Sequence, residues 1–576
     1  MSRSRGVPSA RVRYLPTVIL ALAPILVVLA LRLPLINQLN YADAWFYTSY
    51  AFVPKHDFAI FGWNYFSVRF PPILAIGAFE RAFGSVDGYI VLRYLLAVAC
   101  GASVYVCVRR FATVRVALTS ALLLYLDPFF SRMLLWDYSG FMEVAGGVIG
   151  VGLWFWSDRR KLILTVLPGV ALAVAVFANA LVGTALFVLL AVEAVAALRE
   201  GRSALLRYGA RLLILAGSAA LVFFVGYLSY LKILGSLSPY DLIRPTIEFF
   251  GDNSQKSAPY QHPVSSWLFH EPRIWAPVVT SFALVFMLRG RLLGGDVAVR
   301  IAQFCVAYTA FLWLYRFAVT SSVIETWWAY SVIVVATAPA VGVLLHELTR
   351  ERLTAARRLV FVCGAYALAA VLLRDVTGPA GDFYGGLGEH TWLVALLIAI
   401  GLLAAAVGAF RPTRQTAAFV LVAIVLAVMS YAPSVLDGRG TTGIFVTSGS
   451  QERSAYKGAE HFVKLVQNYD SPAHRVFLWY SGNLGYVSMA WADLPQEADT
   501  LNEPGVSEAL TQLTPLARAR LAQPQVKYVM ILSPHLSELS GARAVLANDG
   551  FGGNLVRSGE LVGRSLSYAL VVVAKK

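Results

Sequence analysis

Few polar residues stand out in this chain. Asp43 sits in Asn40-Tyr41-Ala42-Asp43-Ala44-Trp45-Phe46-Tyr47, a carboxylate among aromatic rings, and Arg69 follows in Val68-Arg69-Phe70-Pro71-Pro72-Ile73-Leu74. Arg93 comes next inside an apolar run, and Asp127, Arg132, Asp137 and Glu143 make a second polar stretch. A carboxylate in such a setting can take a proton from a hydroxyl, and a guanidinium offers a planar fork to an anionic oxygen pair. Each feature also has an ordinary reading. Aromatic residues belt a membrane interface, a double proline opens a helix, an arginine near a helix end snorkels, and Asp127-Pro128 ends a helix. The combination and its order are what point to chemistry.

The elements that must carry these residues are set by composition. Of 576 residues, 58% are hydrophobic and 14% charged, where soluble chains run at roughly 45–50% and 25%. That excludes a single soluble domain. About 20 apolar residues cross a bilayer, and thirteen stretches are candidate spans by that criterion, several of them shorter. They run from Tyr14 to Ile36, Val86 to Val108, Val114 to Phe130, Gly140 to Trp156, Leu162 to Phe177, Ala180 to Leu198, Leu212 to Leu234, Ile274 to Leu288, Ile301 to Val319, Trp328 to His346, Leu359 to Leu373, Trp392 to Phe410 and Thr416 to Ala432. The pair meeting at Asn179 also fits a re-entrant hairpin. The first span is too long for a signal core and is expected to stay as an anchor.

Charge orders these spans. The chain carries +15 with a pI near 9.6, which in a polar protein would suggest nucleic acid. Here Lys and Arg fall in every second connection: before Tyr14, around Arg109, Arg159, Arg199, Arg289, Arg350 and Arg411. By the positive-inside rule these connections and the N-terminus are cytoplasmic, and no nucleic-acid partner is expected. The alternate connections face outward, including residues 37–85 and 235–273. The cysteines Cys100, Cys107, Cys305 and Cys363 lie in apolar runs without metal spacing and read as buried hydrophobes. His262 and His270 in the second outer loop make no metal pattern.

Residues 1–433 form the membrane domain on this reading, and 434–576 form an external α/β domain. The latter carries 13 Lys and Arg against 12 Asp and Glu. It alternates helical patterns (Ser454 to Asn468, Val506 to Leu521, Leu536 to Asn548) with strand-like runs (Arg475 to Trp479, Tyr528 to Leu532, Ser567 to Val573). Trp479, Tyr480 and Trp491 offer a surface for stacking on carbohydrate, though core and turn roles suit them better. No Walker loop, GxGxxG, nucleophile elbow or HExxH is present.

The order of Asp43, Arg69 with Pro71-Pro72-Ile73, Phe83-Gly84 and Arg93 resembles that in GT-C fold membrane glycosyltransferases. The likeness is to the group of protein O-mannosyltransferases and aminoarabinose transferases, which use polyprenyl-phosphate sugars. It covers about the first 160 residues. The chain departs in having Arg69-Phe70 where His or Lys is usual and in lacking paired carboxylates in the second outer loop. The resemblance implies an inverting transferase in the cytoplasmic membrane, acting at the outer face on a cell-envelope glycan, lipid or protein, with membrane lipids around it. Asp43 would be the general base, and Arg69 and Arg93 would clamp the donor phosphate. Asp137 and Glu143 would support the site, and Arg316 and Tyr330 beside Trp327-Trp328 would complete the lipid site. A divalent metal on Asp43 and Asp137 is left open. Competing readings are a transporter or flippase of envelope precursors, and a ligase or polymerase using lipid-pyrophosphate donors. The near absence of charges deep in the spans and of an internal repeat speaks against transport.

Overall fold

A computed structural model of the chain describes residues 10–30, positions 47, 50, 51, 54 and 58, most of 63–350 apart from 252–274, and parts of 465–574. Asp43, Asp137 and Cys363 lie outside the described residues, as do the three expected spans between Leu359 and Ala432.

The membrane part begins with α1 (Ala10–Ala30), α2 (Phe70–Phe83), α3 (Ser85–Val108), α4 (Val114–Tyr125) and α5 (Pro128–Leu135). It continues with α6 (Gly140–Ser157), α7 (Val166–Ala178), α8 (Val182–Glu200) and the 33-residue α9 (Arg202–Leu234). Then come α10 (Trp275–Met287), α11 (Val297–Ala318) and α12 (Val334–Arg350). Among the described residues five helices, within α3, α6, α8, α9 and α11, are long and apolar enough to cross a membrane. One expectation changes here. The stretch from Val114 to Phe130 is not one straight span, because α4 and α5 meet at a 57° bend. Pro128 cannot continue α4, and Asp127 Oδ1 instead accepts from the Phe130 N–H at 3.0 Å, capping α5.

α6 is the hub. Nearly all of it is buried, and it packs against α3, α7 and α12. Small residues make this possible: a Cβ on Gly147 would meet Val335 Cγ2 at 2.5 Å, and one on Gly150 would meet Leu172 Cγ at 2.5 Å. Without a hydrophobic drive between helices in lipid, close backbone approach of this kind supplies the packing. An 18-residue helix spans about 27 Å, so the two ends of α6 mark two distinct levels of the molecule.

At the α6 C-terminus, beside the basic connections, a buried ion network ties four helices. Arg300 of α11 reaches Glu193 of α8 at 2.9 Å and Asp158 at 2.6 Å, while Arg211 of α9 lies 3.5 Å from both carboxylates. Arg211 also donates to the Trp154 carbonyl at 2.7 Å with its guanidinium 3.7 Å from the indole ring centroid. Two cations thus neutralise two anions, which is how buried charge is tolerated. Outside the span, Asp158 is pushed up by burial, but Arg300, Arg211 and Arg110 outweigh that and hold its carboxyl below the usual range.

The described C-terminal residues hold β1 (Arg475–Tyr480), α13 (Pro515–Leu521), β2 (Val526–Ser533), α14 (Leu536–Asn548), β3 (Leu555–Leu561) and β4 (Leu566–Val572). The sheet order is β1-β2-β4-β3, with β1 and β2 parallel and the other pairs antiparallel. Successive residues of β1 enter two apolar clusters, Phe477 and Trp479 one, Val476, Leu478 and Tyr480 the other. Trp479 and Tyr480 are therefore core residues, which favours their packing role over a carbohydrate surface.

Candidate active site

The site forms at the N-terminal end of α6, opposite the ion network. It starts from the turn that precedes α2. Asn64 Oδ1 accepts from the Phe66 and Ser67 N–H groups at 2.9 and 3.0 Å, and its Nδ2 donates to Tyr50 Oη at 2.8 Å. Tyr230 of α9 donates to the Ser67 carbonyl at 2.8 Å. These bonds set Arg69 as the residue before α2, whose first turn holds Pro71 and Pro72, as the double proline leads one to expect.

Arg69 is 3% exposed. Its Nη1 donates to Tyr47 Oη at 2.8 Å and Ser139 Oγ at 2.6 Å, and the guanidinium carbon lies 3.7 Å from the Tyr65 ring centroid. Ser139 is the residue before α6. One turn into that helix stands Glu143, 1% exposed and within electrostatic reach of Arg69. Asn179, between α7 and α8, donates to Glu143 Oε2 at 2.8 Å. From α11, Tyr308 approaches Thr184 of α8 at 3.1 Å and also feels the Glu143 charge.

Arg93 lies two turns into α3 and is buried, its guanidinium carbon 4.8 Å from the Tyr89 centroid and 5.9 Å from that of Phe141 in the first turn of α6. Arg69, Glu143 and Arg93 thus gather around one helix end. Tyr330 is fully buried, edge-on to Phe129 of α5 at 5.7 Å. Arg316 occupies the last turn of α11, 9% exposed. Asp43 and Asp137 lie outside the described residues, and with them the pair that would hold a divalent metal. Among the described residues no three His, Cys, Asp or Glu side chains come together as a metal site.

Tyr47, Tyr65, Ser139, Asn179 and Tyr308 belong to this cluster without having been singled out for it from the sequence. Tyr47 and Ser139 adjoin the stretches around Asp43 and Asp137, and Asn179 is a polar break between two apolar runs. Tyr308 had no such signal, since it sits in a stacked aromatic row of α11 with Phe304 and Phe311.

Two solved structures superpose on this arrangement over almost its whole length. They are ArnT from Cupriavidus metallidurans in the apo state, with a TM-score of 0.52 and 14% identity, and the same protein bound to undecaprenyl phosphate, at 0.50 and 15%. Each comparison covers 98% of this chain and 98% of the other. The chain has the GT-C fold. A GT-C chain of this length with several long apolar helices is a polytopic, membrane-embedded helical protein. No family model and no curated protein sequence matches it. In GT-C terms, the buried arginine of the first loop region and the acidic first turn of α6 sit at one end of the helical bundle, away from the basic connections.

Proposed function

We propose that this GT-C protein is an inverting glycosyltransferase that moves a sugar from a polyprenyl-phosphate donor to a cell-envelope acceptor at the outer face of the cytoplasmic membrane. The observation that carries the proposal is Arg69. A guanidinium held in place by Tyr47, Ser139 and Tyr65, at the bundle end opposite the basic connections, is a built anion site. Support comes from the fold, shared with an ArnT whose structure contains undecaprenyl phosphate.

The chemistry is a single displacement. An acceptor hydroxyl oxygen bonds to the anomeric carbon, the bond from that carbon to the phosphate oxygen breaks, and the polyprenyl phosphate departs with the electron pair. Asp43 takes the hydroxyl proton. Arg69 and Arg93 hold the phosphate as its charge grows, with Arg316 and Tyr330 towards the lipid side and Asp137 and Glu143 supporting the sugar. A single displacement inverts the anomeric centre without a glycosyl-enzyme.

Transfer from defined polyprenyl-phosphate sugars by the purified protein tests this. Asp43→Asn is expected to lower turnover by about 10²–10⁴-fold while leaving the protein folded, and full activity in that variant would remove Asp43 as the base. Thirteen spans, a cytoplasmic N-terminus and an external domain over 434–576 complete the proposal. Cysteine introduced at Ser450 is then labelled by a reagent confined to the outer side, and protection there would overturn the topology.

A further inference from the structure

Asn179 holds a position that the proposed reaction has not yet used. Its amide orientation is set by the backbone: Leu181 N–H donates to Oδ1 at 3.1 Å in an Asx turn that opens α8. The NH₂ end must then point the other way, and it donates to Glu143 Oε2 at 2.8 Å. Asn179 thus presents a donor that cannot be exchanged for an acceptor without losing the turn. Glu143 Oε2 must accept, which leaves Oε1 as the oxygen open to another group. That second oxygen is buried and has no hydrogen-bond partner among the described residues.

We infer that Asn179 is a positioning residue: by occupying Glu143 Oε2 it leaves Oε1 as the oxygen that accepts a hydrogen bond from a sugar hydroxyl of the substrate. The inference rests on the glycosyltransferase reading. Among the described residues the ionisable groups that face Glu143 are Arg69 from the turn before α2 and Tyr308 from α11. Neither replaces the Asn179 donor, because Arg69 Nη1 is directed to Tyr47 and Ser139, and the Tyr308 hydroxyl to Thr184.

Two substitutions in the full-length protein separate this role from a turn role. Asn179→Ala removes both the donor and the turn acceptor. Asn179→Asp keeps the acceptor for Leu181 and donates to Glu143 only while its own carboxyl is protonated. We expect the Ala variant to lose about tenfold or more in kcat/KM at every pH. The Asp variant should recover most activity at about pH 6 and fall about tenfold relative to wild type by about pH 9, as the shared proton leaves the carboxyl pair. Wild-type kinetics in the Ala variant overturns the inference. So does an Asp variant that runs parallel to wild type across the range, which would assign Asn179 to the turn alone. A wild-type protein that transfers no polyprenyl-phosphate sugar would sink the function instead. In that event the infrared carboxyl band of Glu143, assigned by its loss in Glu143→Gln, decides the matter. A titration displaced in Asn179→Asp supports the positioning role, and an unmoved one removes it.

Discussion

Arg69 owes its geometry to hydroxyls contributed from far along the chain, Tyr47 from 22 residues before it and Ser139 from 70 residues after it. A lysine in its place keeps the charge but loses the planar fork that meets a phosphate with two parallel bonds. Arg69→Lys is therefore expected to raise the donor KM by about tenfold or more, with a smaller change in turnover, as measured by initial rates against donor concentration. An unchanged donor KM would take Arg69 out of the clamp. In the C-terminal part, Glu538 near the start of α14 accepts from Ser533 Oγ at 2.5 Å and Ser481 Oγ at 2.8 Å. These hydroxyls hold its carboxyl below the usual range. The ionised form thus stabilises the fold, with the contribution complete above the unfolded value of about 4.3 and lost as pH falls through the lowered folded value. Because Glu538 is exposed, the effect is small. The thermal midpoints of wild type and Glu538→Gln should differ at about pH 6 and converge as pH falls through that lowered value, and a gap independent of pH would contradict this. Arg69 and Glu143 were readable from the chain because charge in an apolar setting is conspicuous. Tyr47 and Ser139 were not, since an isolated Tyr reads as interface belt and a Ser before a helix as a cap until Arg69 is seen between them.

Among the helices, α9 does more than span. Gly226 lies against the ring of Phe70, so closely that a Cβ would overlap its edge, and one turn on Tyr230 binds the Ser67 carbonyl. Phe70 adjoins Arg69, so this face of α9 sets how deep the arginine sits. Gly226→Leu should displace Phe70 and cut transfer about tenfold or more, as expected when a catalytic group shifts by about 1 Å. The assay is transfer rate together with thermal midpoint, and a variant with full activity would show that the turn holds without α9. Spans such as Val86 to Val108 emerged from the sequence at nearly their structural limits, α3 being Ser85–Val108, because apolar length and flanking arginines are local signals. The 57° break between α4 and α5 falls at Asp127-Pro128, whose helix-ending signal was readable, but the apolar residues on both sides carried the expected span through it. In the sheet, β1, β2 and β4 followed from their apolar runs. Leu555–Leu561 did not, since β3 pairs with β4 at the edge of the sheet, and its Arg-Ser-Gly-Glu sequence carries no buried alternation.

Across the membrane part, α6 links two polar centres of different character, one at each end. The first, around Arg69, gathers the residues of the proposed site; the second, around Arg300, neutralises charge among helices. Removing one member of the second leaves its partner buried and uncompensated, which costs about 3–5 kcal/mol. Glu193→Gln should accordingly lower the thermal midpoint of the detergent-purified protein markedly while the folded fraction keeps its donor KM. A midpoint within a degree or so of wild type would show that water reaches the network. The order of the described helices was open to inference from apolar length, whereas this pairing was not, because its members are remote in sequence. That remoteness has a consequence for biosynthesis. Arg300 meets Asp158 across 142 residues, and at about 5–20 residues per second a ribosome needs roughly 7–30 s to make that interval. Until it is complete the two carboxylates lack the cation that bonds to both of them, so α6, α8 and α9 leave the translocon as an unfinished, charge-bearing assembly. The arrival of α11 closes it, and a chain that stalls before Arg300 is left with the network unfinished.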